Sequence, residues 1–126
     1  MANIIVVDDD PTNTELIKML LEMEGYNVTP CYDIDQAKTA AAPDSDAFVI
    51  DCNLARGANG LHLLHAIRQG ETNAPSDTIV IMTSGDYRRE ADALRLGAQN
   101  FLLKPYQPND LTDLLNQLLT QDGTIG

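Results

Sequence analysis

The sequence predicts an α/β fold in which one five-stranded parallel sheet is covered by helices on both faces, the arrangement called doubly wound. Short apolar runs rich in Ile and Val alternate five times with helical patterns. The runs are continuous, which is typical of parallel strands buried on both faces. Four of them stop at a polar residue. In open α/β sheets, ligands bind at the carboxyl ends of the strands, which is where these polar residues lie.

The first strand is expected at residues 3–8, and the helix after it has clear start and stop signals. Asp10 suits the N-cap, Pro11 suits the first helical position, and Gly25 ends the helix. The apolar residues that recur there at helical spacing, and that we expect to face the sheet, are Leu16, Ile17, Leu20, Leu21 and Met23.

The remaining chain repeats the alternation without a domain boundary, so residues 1–126 form one domain with a frayed tail at about 122–126. Apolar runs predict the other strands at residues 26–31, 47–51, 78–83 and 100–104. The other helices are predicted at residues 34–42, 61–69, 87–96 and 110–121. The first of them is Ala-rich and ended by Pro43, the second follows a glycine-containing loop, the third is closed by Gly97, and the fourth has a leucine-lined face.

The composition excludes several classes of protein. The formal net charge is −11, so the basic footprint of a nucleic-acid-binding domain is absent, and direct binding to DNA or RNA is not expected. No apolar run reaches the roughly 18 residues of a membrane span, and no secretory signal is visible. Cys31 ends the second predicted strand and Cys52 follows the third. If the first strand lies between those two strands, the cysteines are roughly 9–10 Å apart, which is too far for a disulfide. Free thiols then indicate the cytoplasm.

Polar side chains gather where the predicted strands end. Asp8 and Asp9 follow IIVV, Asp51 follows AFVI, Thr83 follows IVIM, and Lys104 follows FLL. If these strands are neighbours, three carboxylates, a hydroxyl and an ammonium converge. An oxygen-rich acidic site suits Mg²⁺ or Mn²⁺ rather than zinc. Such an ion and a lysine can neutralise a phosphoryl group during its transfer, and an aspartate can accept that group.

In this order, the segments VVDDD, FVID, IMTS and LLKP closely resemble the receiver domain of bacterial response regulators, and the resemblance covers essentially the whole chain. It implies a flavodoxin-like sheet of order 2-1-3-4-5 with five helices. It also implies that Asp51 is the phosphoacceptor. Asp8 and Asp9 then hold Mg²⁺ together with Asp51 and the backbone carbonyl of Asn53.

The same resemblance implies a switch. Thr83 corresponds to the hydroxyl that binds the phosphoryl group, Lys104 to the lysine that pairs with it, and Phe101 to the aromatic switch residue. Lys104-Pro105 resembles a step that is often a cis peptide. The implied function is a phosphorylation-activated switch of a two-component phosphorelay. It would take a phosphoryl group from a histidine kinase or phosphotransfer protein and change the surface of helix 4, strand 5 and helix 5.

The implied domain is not a general enzyme, since it would catalyse only its own phosphorylation and slow dephosphorylation. Its output partner or output domain is not encoded in the motifs. Two positions depart from the family: Ala55 replaces a usual proline, and the spacing from Asp51 to Gly60 is one residue longer. The departures concern the shape of the loop at residues 53–60.

Two alternatives remain at this stage. Asp8-x-Asp10-x-Thr12 fits the nucleophile motif of small haloacid-dehalogenase-type phosphatases. That family needs a further acidic cluster after a later strand and a larger chain, and it gives Asp51 no role. A receiver-like scaffold that binds partners without phosphorylation is disfavoured because the whole acceptor set is present.

Overall fold

The structure, a computed structural model, describes residues 2–122 and has a parallel sheet with helices on both faces. The strands are β1 Asn3–Val7, β2 Asn27–Cys31, β3 Ala47–Asp51, β4 Ile79–Ser84 and β5 Asn100–Leu103. Their order is β2-β1-β3-β4-β5, as expected from the family resemblance. Each predicted strand is present, with its ends shifted by one residue at most. This order places β1, β3 and β4 inside the sheet.

Five α-helices connect and flank the strands. They are α1 Pro11–Met23, α2 Ile34–Ala40, α3 Gly60–Arg68, α4 Glu90–Arg95 and α5 Pro108–Asp122. The segment predicted as one helix at 87–96 instead begins with a 3₁₀ turn, Tyr87–Arg89, because the Asp86 side chain accepts from Arg88 N and caps that turn. Residues 123–126 of the predicted tail lie outside the described residues. No helix within residues 2–122 is both long and apolar enough to cross a membrane.

Two apolar layers hold the helices against the sheet. On one face, alternate β3 residues such as Phe48 and Ile50 pack with Leu63 and Leu64 of α3. On the other face, side chains of α1 and α5 cover the sheet, with Ile17, Leu21, Leu111 and Leu115 buried beside the remaining strand residues. The alternation of side chains along each strand assigns consecutive residues to opposite layers. The sheet is therefore doubly wound, as predicted.

The predicted core-facing line of α1 is partly wrong. Ile17 and Leu21 are buried as expected, but Leu16 is 44% exposed and Met23 is 76% exposed. Thr14 is buried instead, and its hydroxyl donates to the carbonyl oxygens of Asp8 (3.1 Å) and Asp10 (2.8 Å). This anchor turns the helix so that Thr14, Ile17 and Leu21 face the sheet, and the adjacent apolar line faces outward.

Candidate functional site

Three carboxylates meet at the carboxyl edge of the two central strands. Asp8 directly follows β1 and Asp51 ends β3, and these strands pair in parallel register with Val7 opposite Ile50. One ligand oxygen from each of Asp8, Asp9 and Asp51 lies within 4.8 Å of the others. Asp8 and Asp51 are only 4% and 7% exposed, whereas Asp9 is open to solvent. The structure therefore brings together the three predicted acids.

The Asp8 side chain is held in place from several directions. Its Oδ1 accepts from the backbone N–H of Asp10 at 3.0 Å. Its Oδ2 accepts from the Asn13 amide at 2.7 Å and from the Lys104 ammonium at 3.2 Å. Asp10 itself points elsewhere and caps α1 by accepting from Thr12 N and Asn13 N. Asp8 is therefore oriented toward the cluster, and Asp10 has a structural role.

Lys104 neutralises part of the acidic cluster. Its Nζ lies 2.8 Å from Asp51 Oδ2 and 3.2 Å from Asp8 Oδ2. Burial acts to lower the Lys104 pKa, but the hydrogen bonds and charges of Asp51 and Asp8 outweigh it, so the pKa is raised. The backbone N–H of Lys104 donates to Ser84 O at 2.8 Å, and the Lys104-Pro105 peptide is cis, as the resemblance implied. Lys104 thus bridges the two buried carboxylates.

The Asp51 carboxylate faces opposing influences. Burial raises its pKa, whereas the hydrogen bond from Lys104 and the one from Asn53 N, which meets Asp51 Oδ1 at 3.0 Å, lower it. The net effect is a raised pKa, because burial and the nearby charge of Asp8 together prevail. A carboxylate in this state gains from any additional cation beside it.

Thr83 and Phe101 lie on the strands beyond Asp51. Thr83 is the register partner of Asp51 across the β3–β4 pair and is buried at the same edge. Phe101 of β5 pairs with Met82 and packs in the apolar layer with Ala93 of α4. Thr83 therefore adjoins the acidic cluster, and Phe101 lies one strand further along the sheet. Both residues therefore lie on the strands where the sequence predicts them.

Oxygen ligands of this kind fit a small divalent cation. Carboxylates are hard ligands that Mg²⁺ and Mn²⁺ accept, and the exposed Asp9 leaves one side of the cluster open for water or phosphate. The neighbouring Cys52 thiol is not part of this group of ligand atoms: it packs in the apolar layer, where burial raises its pKa to about 11. Cys31 and Cys52 are both free, as expected.

Sequence reasoning missed three residues of the site. Asn13 donates to Asp8, and Ser84 is fully buried with its Oγ accepting from Asp86 N at 3.0 Å. Tyr106 adjoins the cluster, where burial raises its pKa to about 12. No pattern in the sequence distinguishes these polar residues from ordinary loop or helix residues. Their roles depend on contacts between segments far apart in the chain.

Comparisons with known proteins agree with this geometry. The family model of the response regulator receiver domain matches residues 4–116 of this chain. The transcriptional regulatory protein CpxR of Escherichia coli K12 is 33% identical over 119 residues, which are 94% of this chain and 50% of CpxR. The two-component response regulator PprB of Pseudomonas aeruginosa is 28% identical over 92% of this chain and 43% of its own length.

Solved structures show the same fold. A CheY-like receiver domain protein from Methanospirillum hungatei superposes with a TM-score of 0.87 at 23% identity, covering 100% of this chain and 99% of that one. The NtrX receiver domain of Brucella abortus gives 0.81 at 28% identity, covering 92% and 97%. TrrA of Thermotoga maritima, solved in complex with Mg²⁺-BeF, gives 0.79 at 24% identity, covering 94% and 99%.

The chain belongs to the response regulator receiver domain family. Receiver domains of response regulators are signalling switches of two-component systems rather than classical enzymes. The chain spans about half the length of the curated relatives it matches, and CpxR is named as a transcriptional regulatory protein. The phosphatase alternative loses its support, because the family is a different one and Asp10 is the helix cap.

Proposed function

We propose that this domain is a phosphorylation-activated switch in which Asp51 accepts a phosphoryl group. The observation that carries the proposal is the site at the carboxyl edge of the sheet: Asp51 ends a central strand, two further carboxylates lie within 4.8 Å, and an ammonium bridges the buried pair. A phosphoryl acceptor needs little more than positioning and charge neutralisation, and this edge supplies both.

In the proposed reaction, a carboxylate oxygen of Asp51 forms a bond to phosphorus while the phosphorus–nitrogen bond of a phosphohistidine breaks. The donor imidazole leaves with the electron pair of that bond, and the product is an aspartyl phosphate. Asp8, Asp9, Asp51 and the Asn53 carbonyl would hold Mg²⁺ or Mn²⁺. When bound, that ion neutralises charge on the transferring phosphoryl oxygens. The TrrA complex with Mg²⁺-BeF supports this assignment by analogy of fold.

Lys104 has a second task in this proposal. Its ammonium now binds Asp51 Oδ2 at 2.8 Å, and phosphorylation would place phosphoryl oxygens at that position. Lys104 would then pair with the phosphoryl group, so that its partner would be a negatively charged oxygen both before and after phosphorylation. Thr83, the register partner of Asp51, would donate its hydroxyl hydrogen to another phosphoryl oxygen.

The output of the switch follows from the neighbours of Thr83. A shift of Thr83 toward the phosphoryl group would open space beside β5, and Phe101 would follow. Phe101 packs with Ala93 of α4, so its movement changes how α4 lies on the sheet. Leu94 of α4 and Leu103 of β5 are each nearly half exposed, which gives the α4–β5–α5 face apolar side chains for an output partner.

A histidine kinase or histidine phosphotransfer protein is the proposed phosphodonor, and it must approach the same edge. Beside that edge, a groove of about 480 Å³ runs between α1 and α5 and is lined by Leu16, Leu20, Lys104 and Tyr106, among others. The exposed line of α1 continues from it. A donor protein that packs on α1 would bring its phosphohistidine to Asp51. We further propose that the domain is cytoplasmic. Any contact with nucleic acid would be made by an output domain or a partner protein.

The proposal is tested with a small phosphodonor such as acetyl phosphate or phosphoramidate, Mg²⁺ and intact mass measurement. Wild-type protein should gain one phosphoryl group, and Asp51→Asn should gain none. Asp113→Asn, which changes an exposed acid on α5, serves as the matched control and should gain the same group as wild type. An adduct that persists in Asp51→Asn, or no adduct on a folded wild type, would refute the assignment. Dependence of any phosphomonoester turnover on Asp8 would revive the phosphatase.

A further inference from the structure

The loop between β3 and α3 closes in a tight hairpin turn. The backbone N–H of Ala58 donates to Ala55 O at 3.2 Å, and the two residues between them both have positive φ, +61° at Arg56 and +73° at Gly57. Positive φ at both central positions defines the type I′ turn, which joins antiparallel segments. The turn occupies the place where the family usually has a proline, which here is Ala55.

The arms of this hairpin run directly to the acidic cluster. Asn53 pairs with Asn59 as an antiparallel bridge, and the flanking hydrogen bonds are Leu54 N to Ala58 O at 2.9 Å and Gly60 N to Cys52 O at 2.8 Å. Asn53 itself takes no part in those bonds. Its N–H donates to Asp51 Oδ1, and within the described part of the chain no N–H donates to its carbonyl oxygen.

Both ends of the hairpin are fixed. Leu54 is buried in the apolar layer, and Asn59 caps α3 by accepting from Leu61 N at 2.9 Å. Gly60 lies so close to the sheet that a Cβ there would be 2.1 Å from Asp51 O. Within the hairpin, Ala58 packs against the apolar layer, and the two central residues of the turn, Arg56 and Gly57, are exposed. The Asn53 side chain donates to Ser84 Oγ at 3.4 Å, but the Asn53 carbonyl belongs to the same planar peptide as the Leu54 N–H, which donates to Ala58 O across the hairpin. The orientation of that carbonyl therefore depends on whether the turn stays closed.

We propose that the positive-φ turn at Arg56-Gly57 is a positioning element that sets how firmly the Asn53 carbonyl is presented to the metal, and so sets Mg²⁺ affinity. The inference rests on the proposed function, in which that carbonyl is a metal ligand. A proline ring would hold such a loop by restricting φ, whereas here the hairpin does so by hydrogen bonding. The extra residue in the loop supplies the length that a closed turn needs.

Gly57→Ala tests this directly. Nothing lies within 4 Å of a Cβ at residue 57, so alanine adds no clash, and its only penalty is the left-handed backbone. The loop without metal can escape that strain by opening, but binding Mg²⁺ requires it to close again. The open population must then be overcome, so Mg²⁺ should bind about three- to tenfold more weakly.

The chain offers a matched control in Gly70, at the end of α3. Its φ is +74°, against +73° at Gly57, and a Cβ there also meets nothing within 4 Å. Gly70→Ala therefore adds the same backbone strain away from the site and should leave Mg²⁺ affinity unchanged. Gly57→Asn is the rescue variant, since Asn tolerates positive φ, and it should bind Mg²⁺ nearly as wild type does.

Mg²⁺ affinity is measured by titration followed through backbone amide NMR shifts, and stability without metal by urea unfolding. Weaker binding in Gly57→Ala, with wild-type affinity in Gly57→Asn and Gly70→Ala, supports the inference. Wild-type affinity in Gly57→Ala, or an equal loss in Gly70→Ala, overturns it. If wild type binds no Mg²⁺ and gains no phosphoryl group, the proposed function itself fails, which is a different result from either.

Discussion

Replacing Lys104 by methionine should make the metal-free protein less stable. The ammonium contacts Asp51 Oδ2 at 2.8 Å and Asp8 Oδ2 at 3.2 Å, and at an effective dielectric of about 20 each contact amounts to roughly 5–6 kcal/mol of gross attraction. Burying the ammonium offsets most of this, and its side chain is still 28% exposed. Removing one partner also leaves the carboxylates uncompensated. We expect a net loss of about 1–3 kcal/mol in unfolding free energy.

The same substitution should strengthen Mg²⁺ binding. In wild type the Lys104 ammonium lies against Oδ2 of Asp8 and of Asp51, two of the acids proposed to hold the ion. Repulsion between a divalent and a monovalent cation at about 5 Å is roughly 1.5 kcal/mol even in water, so its removal should tighten binding about tenfold. Mg²⁺ should then recover much of the lost stability, since a ligand that binds only the folded state stabilises it.

Urea unfolding with and without saturating Mg²⁺ separates these effects. Lys18→Met is the matched control: Lys18 is 32% exposed and pairs with Glu22 at 3.3 Å on the surface of α1. Its loss should cost less than about 0.5 kcal/mol and should not alter Mg²⁺ affinity. If Lys104→Met is as stable as wild type and binds Mg²⁺ more weakly, Lys104 organises the acids instead of repelling the ion, and the reasoning is wrong.

Three further results are expected. Gly60→Ala should unfold at markedly lower urea, with a loss above ~3 kcal/mol, because its Cβ would lie 2.1 Å from Asp51 O; near-wild-type stability would show that the loop relaxes. Asp10→Ala should cost about 1 kcal/mol in thermal or urea unfolding, as loss of an N-cap does, yet still yield the phosphoryl adduct by mass. The Cys31 and Cys52 thiols are buried, and burial raises their pKa to about 11, so at pH 8 they should react with a thiol reagent at least ~100-fold more slowly than in urea; fast native labelling would contradict their burial.

The strands could be predicted closely from the sequence because their signal is local. An uninterrupted run of four to six residues rich in Ile and Val favours a strand covered on both sides, because it is too short for a buried helix and its β-branched side chains suit a sheet. The order of the strands carries no such local signal, and the expectation came from the ordered family motifs. The position of the acids at the carboxyl edge then follows from the parallel direction of β1 and β3.

The face of α1 that packs on the sheet could not be predicted, because the helix has more apolar residues than those that contact the sheet. Two adjacent lines of apolar residues both fit a helical period, and periodicity alone does not choose between them. The choice was made by Thr14, a polar residue whose hydroxyl bonds two backbone carbonyls at the helix start. The outcome matters for function, since the line left outward by this choice is the surface proposed for the phosphodonor.

The details of the candidate site depend on contacts across the fold. The types of residue at the strand ends predicted which acids and which lysine would meet. They did not predict that Lys104 bridges Asp8 and Asp51, because the length and direction of a lysine side chain are set by tertiary packing. Nor did they predict the hairpin after β3. The sequence indicated only that this loop is longer and lacks its proline.

The charge balance of the cluster explains why one lysine suits both states of the proposed switch. With Asp8, Asp9 and Asp51 ionised, three negative charges face one ammonium, which leaves a formal charge of −2 for a divalent cation to neutralise. Phosphorylation replaces the single charge of Asp51 by roughly two on the phosphoryl oxygens. In the proposed switch the ammonium would then lose one partner at Asp51 Oδ2 and gain a more highly charged one nearby. Its attraction to the new position would rise as the group is transferred, so the lysine would stabilise the metal-free site and still favour the phosphorylated one.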